Sequence, residues 1–345
     1  MAVTIYDVAK KAGVGIGTVS RAINDSPQIR PETKQRVMDA IRELGYSPHS
    51  MAKRLARRKI GILAAIMPFY TGHFYQELLR GIQKSLAQFE YDLLVYYVDK
   101  ADKLTAFLDR TLKEKRCDGV MVISMDVPED YVEKFTNARL PVVVVDRAHK
   151  KLDSVQVQNE DGAYMATHYL IQLGHRRIAM IAGNRWSLPA RQRHQGYLRA
   201  LQEVGIPAKP DYYVTADGLS RDAAVQANDG FNEIAGKLAM EHLLAMPAER
   251  PTAIFAASDI LAIGAIQAIR QAGLSVPEDM AVIGFDDIEL AKYLSLTTVQ
   301  QPMFEMGRLA VETVMEKIEG RMEEVKHILL STRLVERGST THKNR

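Results

Sequence analysis

Apolar positions in the first 44 residues recur at helical spacing in three short stretches: Thr4 to Ala12, Ile16 to Asn24, and Pro31 to Leu44. Thr4 is placed to cap the first helix, Gly13 suits a tight turn, and Pro31 with Glu32 suits the opening turn of the third. Gly45-Tyr46-Ser47-Pro48 ends that helix, so a compact three-helix unit is predicted. After Ile60 the period changes, and short β-rich apolar runs alternate with amphipathic stretches. Strands are predicted at 60–67, 92–98, 119–124, 142–146, 155–158, 177–182, 253–257 and 281–285, with helices between them at 74–89, 163–173, 193–204, 233–244 and 261–271. The string fits an α/β fold of two doubly wound, parallel-sheet subdomains, and the polar, turn-rich stretch 217–230 reads as a loop.

With 345 residues, 47% of them hydrophobic, the chain has material for two or three domains with a real core. The apolar runs 60–67 and 142–145 fall far short of the roughly 20 residues a membrane helix needs. One cysteine, Cys117, cannot make an intramolecular disulfide, and residues 1–25 hold no signal-peptide pattern, so a cytoplasmic, membrane-free protein is expected. The net charge of +3 conceals an asymmetry. Residues 1–59 hold 5 Lys and 7 Arg against 5 acidic residues, giving +7, and the remainder sums to −4. A small basic module on a mildly acidic body is the electrostatic footprint of nucleic-acid binding.

A helix entering the major groove needs small or adaptable residues near its start, together with hydroxyls or amides for phosphates. The run Gly15-Ile16-Gly17-Thr18-Val19-Ser20-Arg21-Ala22-Ile23-Asn24 has that composition. Val19 and Ile23 would face the core, leaving Thr18, Ser20, Arg21 and Asn24 for groove and backbone; Arg21 suits bidentate reading of guanine. Each of these residues taken alone also reads as a solvated helix position.

The long ungapped pattern Thr4-Ile5-Tyr6-Asp7-Val8-Ala9, Ala12-Gly13-Val14, Thr18-Val19-Ser20-Arg21, Asn24, and Arg36-Val37 through Leu44-Gly45-Tyr46 to Pro48 resembles the headpiece of LacI–GalR family repressors. The resemblance implies a helix-turn-helix domain at 1–47 whose DNA contacts come from Thr4, Tyr6, Ile16, Gly17, Thr18, Ser20, Arg21, Asn24 and Tyr46. Ile16 and Gly17 take the two positions that vary operator choice, and their apolar character favours contact with a thymine methyl. Gly15 and Gly17 also lower local helix propensity. Residues 48–59 resemble the family's hinge helix, with Leu55 as minor-groove wedge, Ala52 allowing close approach of two hinge helices, and Arg54 among the basic residues that phosphates would neutralise. Read without the headpiece, the same segment is a charged linker.

From 60 to 338 the chain resembles the family's periplasmic-binding-protein-like body, carried by Arg191-Gln192-Arg193-His194-Gln195-Gly196-Tyr197 and by Val282-Ile283-Gly284-Phe285-Asp286-Asp287 followed by Leu296 to Pro302. The resemblance implies effector contacts from Asp146, Arg193, Ser258 and Asp286, with Phe231 stacking and Phe74 or Tyr75 flanking. Charged forks that grip paired hydroxyls and an aromatic face suit a polyol; the same aromatics could sandwich a purine or nucleoside. Asp146 and Asp286 could equally cap helices, Arg193 form a surface ion pair, and Phe231 sit in the core. No Gly-x-Ser-x-Gly elbow, phosphate loop or His-Glu-x-x-His occurs, and the nine histidines lack ligand spacing, so neither enzyme activity, cofactor nor metal is expected. The reading is a homodimeric repressor of a double-stranded operator that answers a sugar-like effector, with a solute-binding receptor as the competing class. Residues 339–345 read as a polar tail without the heptads of a tetramerising coil.

Overall fold

A computed structural model describes residues 3–23, 26–46, 59–68, 72–98, 101–246 and 249–340. The first unit contains α1 (Ile5–Ala12), α2 (Ile16–Ile23) and α3 (Pro31–Leu44), within a residue of the periodicity. Thr4 precedes α1 in extended conformation, and Asp7 turns back to accept from Thr4 N at 2.8 Å, which fixes the first turn. Gly13 and Gly45 close α1 and α3 in the left-handed region, at φ 65° and 60°, where a side chain would be strained. Val8, Val19 and Val37 are fully buried, one from each helix, and with Ala9, Ala22 and Ala40 they form the small core. Helix α2 forms despite Gly17 because burial of Val19 and Ala22 outweighs a propensity cost of about 1 kcal/mol.

The second unit holds two six-stranded sheets. In chain order the strands are β1 (Ile62–Pro68), β2 (Asp92–Val98), β3 (Gly119–Ile123), β4 (Val142–Val145), β5 (Asp153–Val157), β6 (Ile178–Ala182), β7 (Tyr213–Thr215), β8 (Ala253–Ala256), β9 (Ala281–Asp286), β10 (Thr297–Gln300), β11 (His327–Leu330) and β12 (Arg333–Val335). The first sheet runs β11-β5-β4-β3-β1-β2 and the second β12-β10-β9-β8-β6-β7, so one strand order is used twice. Parallel pairing joins β5 to β4 to β3 to β1, and equally β10 to β9 to β8 to β6; β12 alone is antiparallel to its neighbour among the described pairs. The chain crosses between sheets after β5, after β10 and between β11 and β12. The fully apolar strands match the sequence reading, whereas β7, β10, β11 and β12 escape it because they are short, polar or half exposed.

Two expectations need correction. The stretch 217–230 is not a plain loop: it contains helical turns at Ala216–Leu219, Ala223–Gln226 and Ala227–Gly230. The supposed tail begins inside the body, since Ser339 is buried, donates to Val282 O at 2.6 Å and accepts from Thr297 N at 2.8 Å. A polar residue can be core when it satisfies backbone groups of two interior strands, here β9 and β10. No helix among the described residues is long and apolar enough to cross a membrane.

Three helix pairs flank the sheets, and each closes on glycine. An added Cβ on Gly81 or Gly307 would collide with the backbone of the partner helix in the pair His73–Leu86 and Met303–Ile318. Gly196 plays this part between Asn159–Gln172 and Leu188–Glu203, as do Gly236 and Gly264 between Glu233–Leu244 and Asp259–Gln271. Without these glycines the helices could not approach closely enough to bury the alanine-rich faces between them. Gly307→Ala should therefore destabilise the body by about 1–3 kcal/mol, although alanine is favoured over glycine in an isolated helix by about 1 kcal/mol. Gly17→Ala, with open space at its Cβ, should stabilise the headpiece; urea unfolding of both variants checks the contrast.

Candidate functional site

The C-terminal ends of β4 and β9 occupy equivalent positions in the two sheets, and each delivers an aspartate in an unusual backbone state: Asp146 at φ 62° and Asp286 at φ 129°. In such sheets ligands bind beyond the carboxyl ends, where the strand order reverses. A cavity, open at its mouth, lies there between the two sheets. Its walls bring together all seven residues of the expected effector set: Phe74, Tyr75, Asp146, Arg193, Phe231, Ser258 and Asp286.

Arg193 organises the floor. Only 4% exposed, its guanidinium donates through Nε to Asn159 Oδ1 at 2.9 Å and through Nη1 to Ala257 O, with Asp286 Oδ1 at 3.9 Å. It stacks on Phe285 at 3.8 Å and stands 5.9 Å from the Phe231 ring. It is therefore not a surface ion pair: three elements compensate a buried charge. Burial pulls its pKa down, opposed chiefly by Asp286 and Asp146. Asp286 accepts from Gln301 Nε2 at 2.5 Å and caps no helix, since the next one starts at Glu289 behind Ile288. Asp146 accepts from Ser124 Oγ at 2.9 Å and meets Arg147 Nη1 at 3.4 Å; it too caps no helix, being followed by a turn into β5. Burial raises its pKa, the neighbouring Arg147 and Arg193 resisting.

Ser258 has a structural duty as well, since its Oγ accepts from Leu261 N at 3.2 Å as the cap of Asp259–Gln271. Phe231 rests against Gly183, where a Cβ would overlap its ring. Phe74 and Tyr75 meet edge to face, centroids 5.1 Å apart at 89°, so they do not form a parallel sandwich for a flat base. The sequence reading left out Asn228, Asp229 and Arg147 and held Gln301 only within the landmark Leu296 to Pro302, yet all four line the cavity. Asp126, Ser124 and Arg147 would have been visible only with the turn after β3 placed beside β4.

In the headpiece, Thr4, Tyr6, Ile16, Gly17 and Arg21 are exposed, and Thr18 and Ser20 half buried. Gly17, Ser20 and Arg21 lie on the side of α2 away from Val19 and Ala22, and Arg21 Nε bonds back to Gly17 O at 3.2 Å. At Tyr46 the left-handed turn of Gly45 sends the amide to Ile41 O at 3.0 Å and packs the ring against the headpiece core. Asn24, Ala52, Arg54 and Leu55, with most of the 48–59 segment, lie outside the described residues.

A two-lobed α/β ligand-binding body in one chain with a basic helix-turn-helix domain defines a class, the effector-responsive transcriptional regulators. Residues 4–49 match the model of bacterial regulatory proteins of the lacI family, and residues 167–340 match a periplasmic binding protein-like domain. The chain is 32% identical over 345 residues to catabolite control protein A of Priestia megaterium, covering 99% of this chain and 100% of that one. It is 34% identical to the ribose operon repressor of Escherichia coli K12, covering 97% and 99%. The fold superposes on the lac repressor dimer bound to operator and the anti-inducer ONPF with TM-score 0.85 at 26% identity, covering 99% of this chain and 100% of that one. It superposes on the regulator CelR in complex with cellobiose with TM-score 0.72 at 30% identity, over 98% and 99%. The chain belongs to the LacI family of bacterial transcriptional regulators.

Burial pushes the Asp286 carboxyl up to about 6, against the pull of Arg193 and Gln301. A carboxyl raised above its ordinary 3.8 keeps its proton longer in the folded state, so the stability it contributes is full below pH 3.8 and is lost as pH climbs to about 6. Asp286→Asn removes that titration. The melting temperature of the variant should gain on that of the natural protein across this window and then hold level; a constant difference would mean that Asp286 titrates normally.

Proposed function

We propose that this protein is a repressor that binds a two-fold DNA operator as a homodimer and changes its operator affinity when a sugar or other small polyol occupies the inter-sheet cavity. One observation carries the reading: Arg193, Asp146 and Asp286 converge on a cavity with Phe231 at its side, the combination of forked donors, acceptors and an apolar ring face that grips a polyol. The edge-to-face pair Phe74 and Tyr75 favours a sugar over a purine. On the DNA side, exposed Ile16, Gly17 and Arg21 on α2 offer a short reading edge, with Arg21 suited to guanine and Ile16 to a thymine methyl. Exposed Leu290 and Tyr293, one turn apart on Glu289–Tyr293, offer apolar surface to a second copy of the chain.

The three chain crossings between the sheets supply the mechanism. A ligand held by Asp146 from one sheet and by Arg193 and Asp286 from the other stabilises the closed arrangement of the lobes. The operator affinity then changes by the difference in ligand affinity between the two arrangements. A thermal-shift panel of sugars, sugar phosphates, nucleosides and purines tests the reading, because a ligand at 100 times its Kd stabilises by about 2.7 kcal/mol. Arg193→Lys, which keeps the charge but not the planar fork, should lose the shift and the ligand's effect on operator binding. Arg21→Ala should keep the shift and weaken operator binding by about 1–3 kcal/mol, chiefly at one base pair. A shift seen only with nucleosides or purines would replace the sugar reading.

A further inference from the structure

The aspartates around the cavity differ in one respect. Asp146 is held by Ser124 and Arg147, Asp286 by Gln301 and Arg193, and Asp287, behind it, by Gln300 and Arg337. Asp229, on the cavity wall, has no hydrogen-bond or ion-pair partner for its carboxylate among the described residues. Yet the chain works to put it there. Asn228, Asp229 and Gly230 are three consecutive left-handed residues, at φ 55°, 51° and 77°, a run that asparagine, aspartate and glycine adopt more readily than other residues.

The loop is tied at several points. Asp229 O accepts from Asn184 N at 2.7 Å, Asn228 Nδ2 donates to Phe231 O at 2.8 Å, and Asn232 Nδ2 donates to Val225 O and Ala227 O at 3.0 and 2.8 Å. Gly230 is required because a Cβ would overlap Ala216. A loop conformation fixed by this many bonds, and a partly buried carboxylate left without a donor, indicate a group reserved for a ligand. Neither guanidinium on the walls hydrogen-bonds it: Arg193 is occupied by Asn159, Ala257 and Asp286, and Arg147, whose charge favours the ionised Asp229, bonds to Asp146. The charged side chains lining the cavity are then three aspartates against two arginines, both arginines already matched.

We infer that Asp229 is a specificity-determining residue of the effector pocket, accepting a hydrogen bond from a hydroxyl or amine of a non-anionic polyol and excluding the phosphate or carboxylate derivatives of the same sugar. The inference rests on the sugar reading above and narrows it. A phosphate near Asp229 would meet a carboxylate whose nearby cation, Arg147, is already shared with Asp146 and Asp126, and like charges so placed repel. A neutral or amino-substituted ring instead gives the carboxylate the donor that it lacks.

The test is isothermal titration of the full-length protein with free pentoses and hexoses, their terminal phosphate esters and their 2-amino-2-deoxy analogues, repeated with Asp229→Asn and Asp229→Ser. The natural protein should bind a free or amino sugar and fail to bind its phosphate ester. The variants should bind the free sugar about tenfold to a hundredfold more weakly, the loss expected for one hydrogen bond to a charged group, and should narrow the gap between sugar and ester. An ester bound as tightly as its parent sugar, or a sugar-to-ester ratio unchanged in both variants, overturns the role of Asp229 and leaves the sugar reading standing. Silence from the entire panel in the natural protein removes the sugar reading and this inference together.

Discussion

A guanidinium sealed inside a protein must be compensated where it sits, and in this regulator that demand organises the ligand-binding body. Arg193 leaves the helix Leu188–Glu203 with almost no exposure and takes partners from Asn159 at the start of one helix, from the backbone at the end of β8, and from Asp286 at the end of β9. Removing a charge from water costs several kcal/mol after relaxation, so these partners cannot drift without leaving it uncompensated. The Phe285 ring beneath it and Phe231 farther off set the plane of the fork. The arrangement leaves a rigid cationic floor facing the Asp146 of the other sheet.

The repeated strand order explains why acceptors stand on both sides. Because β4 and β9 hold the same place in their sheets, Asp146 and Asp286 arrive at the cleft from opposite lobes with similarly forced backbones. Asp286 is joined through Gln301 to the segment by which the chain leaves the second sheet for the first, and Asp287 is joined to Arg337 on the returning C-terminal segment. The residues that would touch a ligand are therefore bonded to the connections about which the lobes would move, which gives occupancy of the cavity a physical route to the relative setting of the two sheets. The glycine-seated helix pairs keep each lobe stiff, so that movement concentrates in the crossings.

Much of this was legible in the sequence, for reasons that differ by element. Buried parallel strands such as Val142–Val145 and Ile178–Ala182 are continuous apolar runs, and Val19 and Gly13 mark the headpiece by periodicity and turn chemistry. The effector set was carried by a family pattern spread over 200 residues of chain, and the cavity gathers every member of it. Harder to read were residues whose role depends on what folds against them. Tyr46 looks like an exposed aromatic until Gly45 turns it inward, and Ser339 looks like tail until it ties β9 to β10 inside the second sheet.

The sequence by itself determined the three headpiece helices, the buried apolar strands, the basic headpiece on an acidic body, and the membership of the family, because these reside in local periodicity, charge and contiguous motifs. Only the tertiary structure decided which carboxylates are paired and which is left open, that Phe74 and Tyr75 meet at right angles, and which glycines are compulsory. Those facts arise from contacts between residues tens to hundreds of positions apart, where the side chain across the cleft, and not the neighbour along the chain, sets the energy of each group.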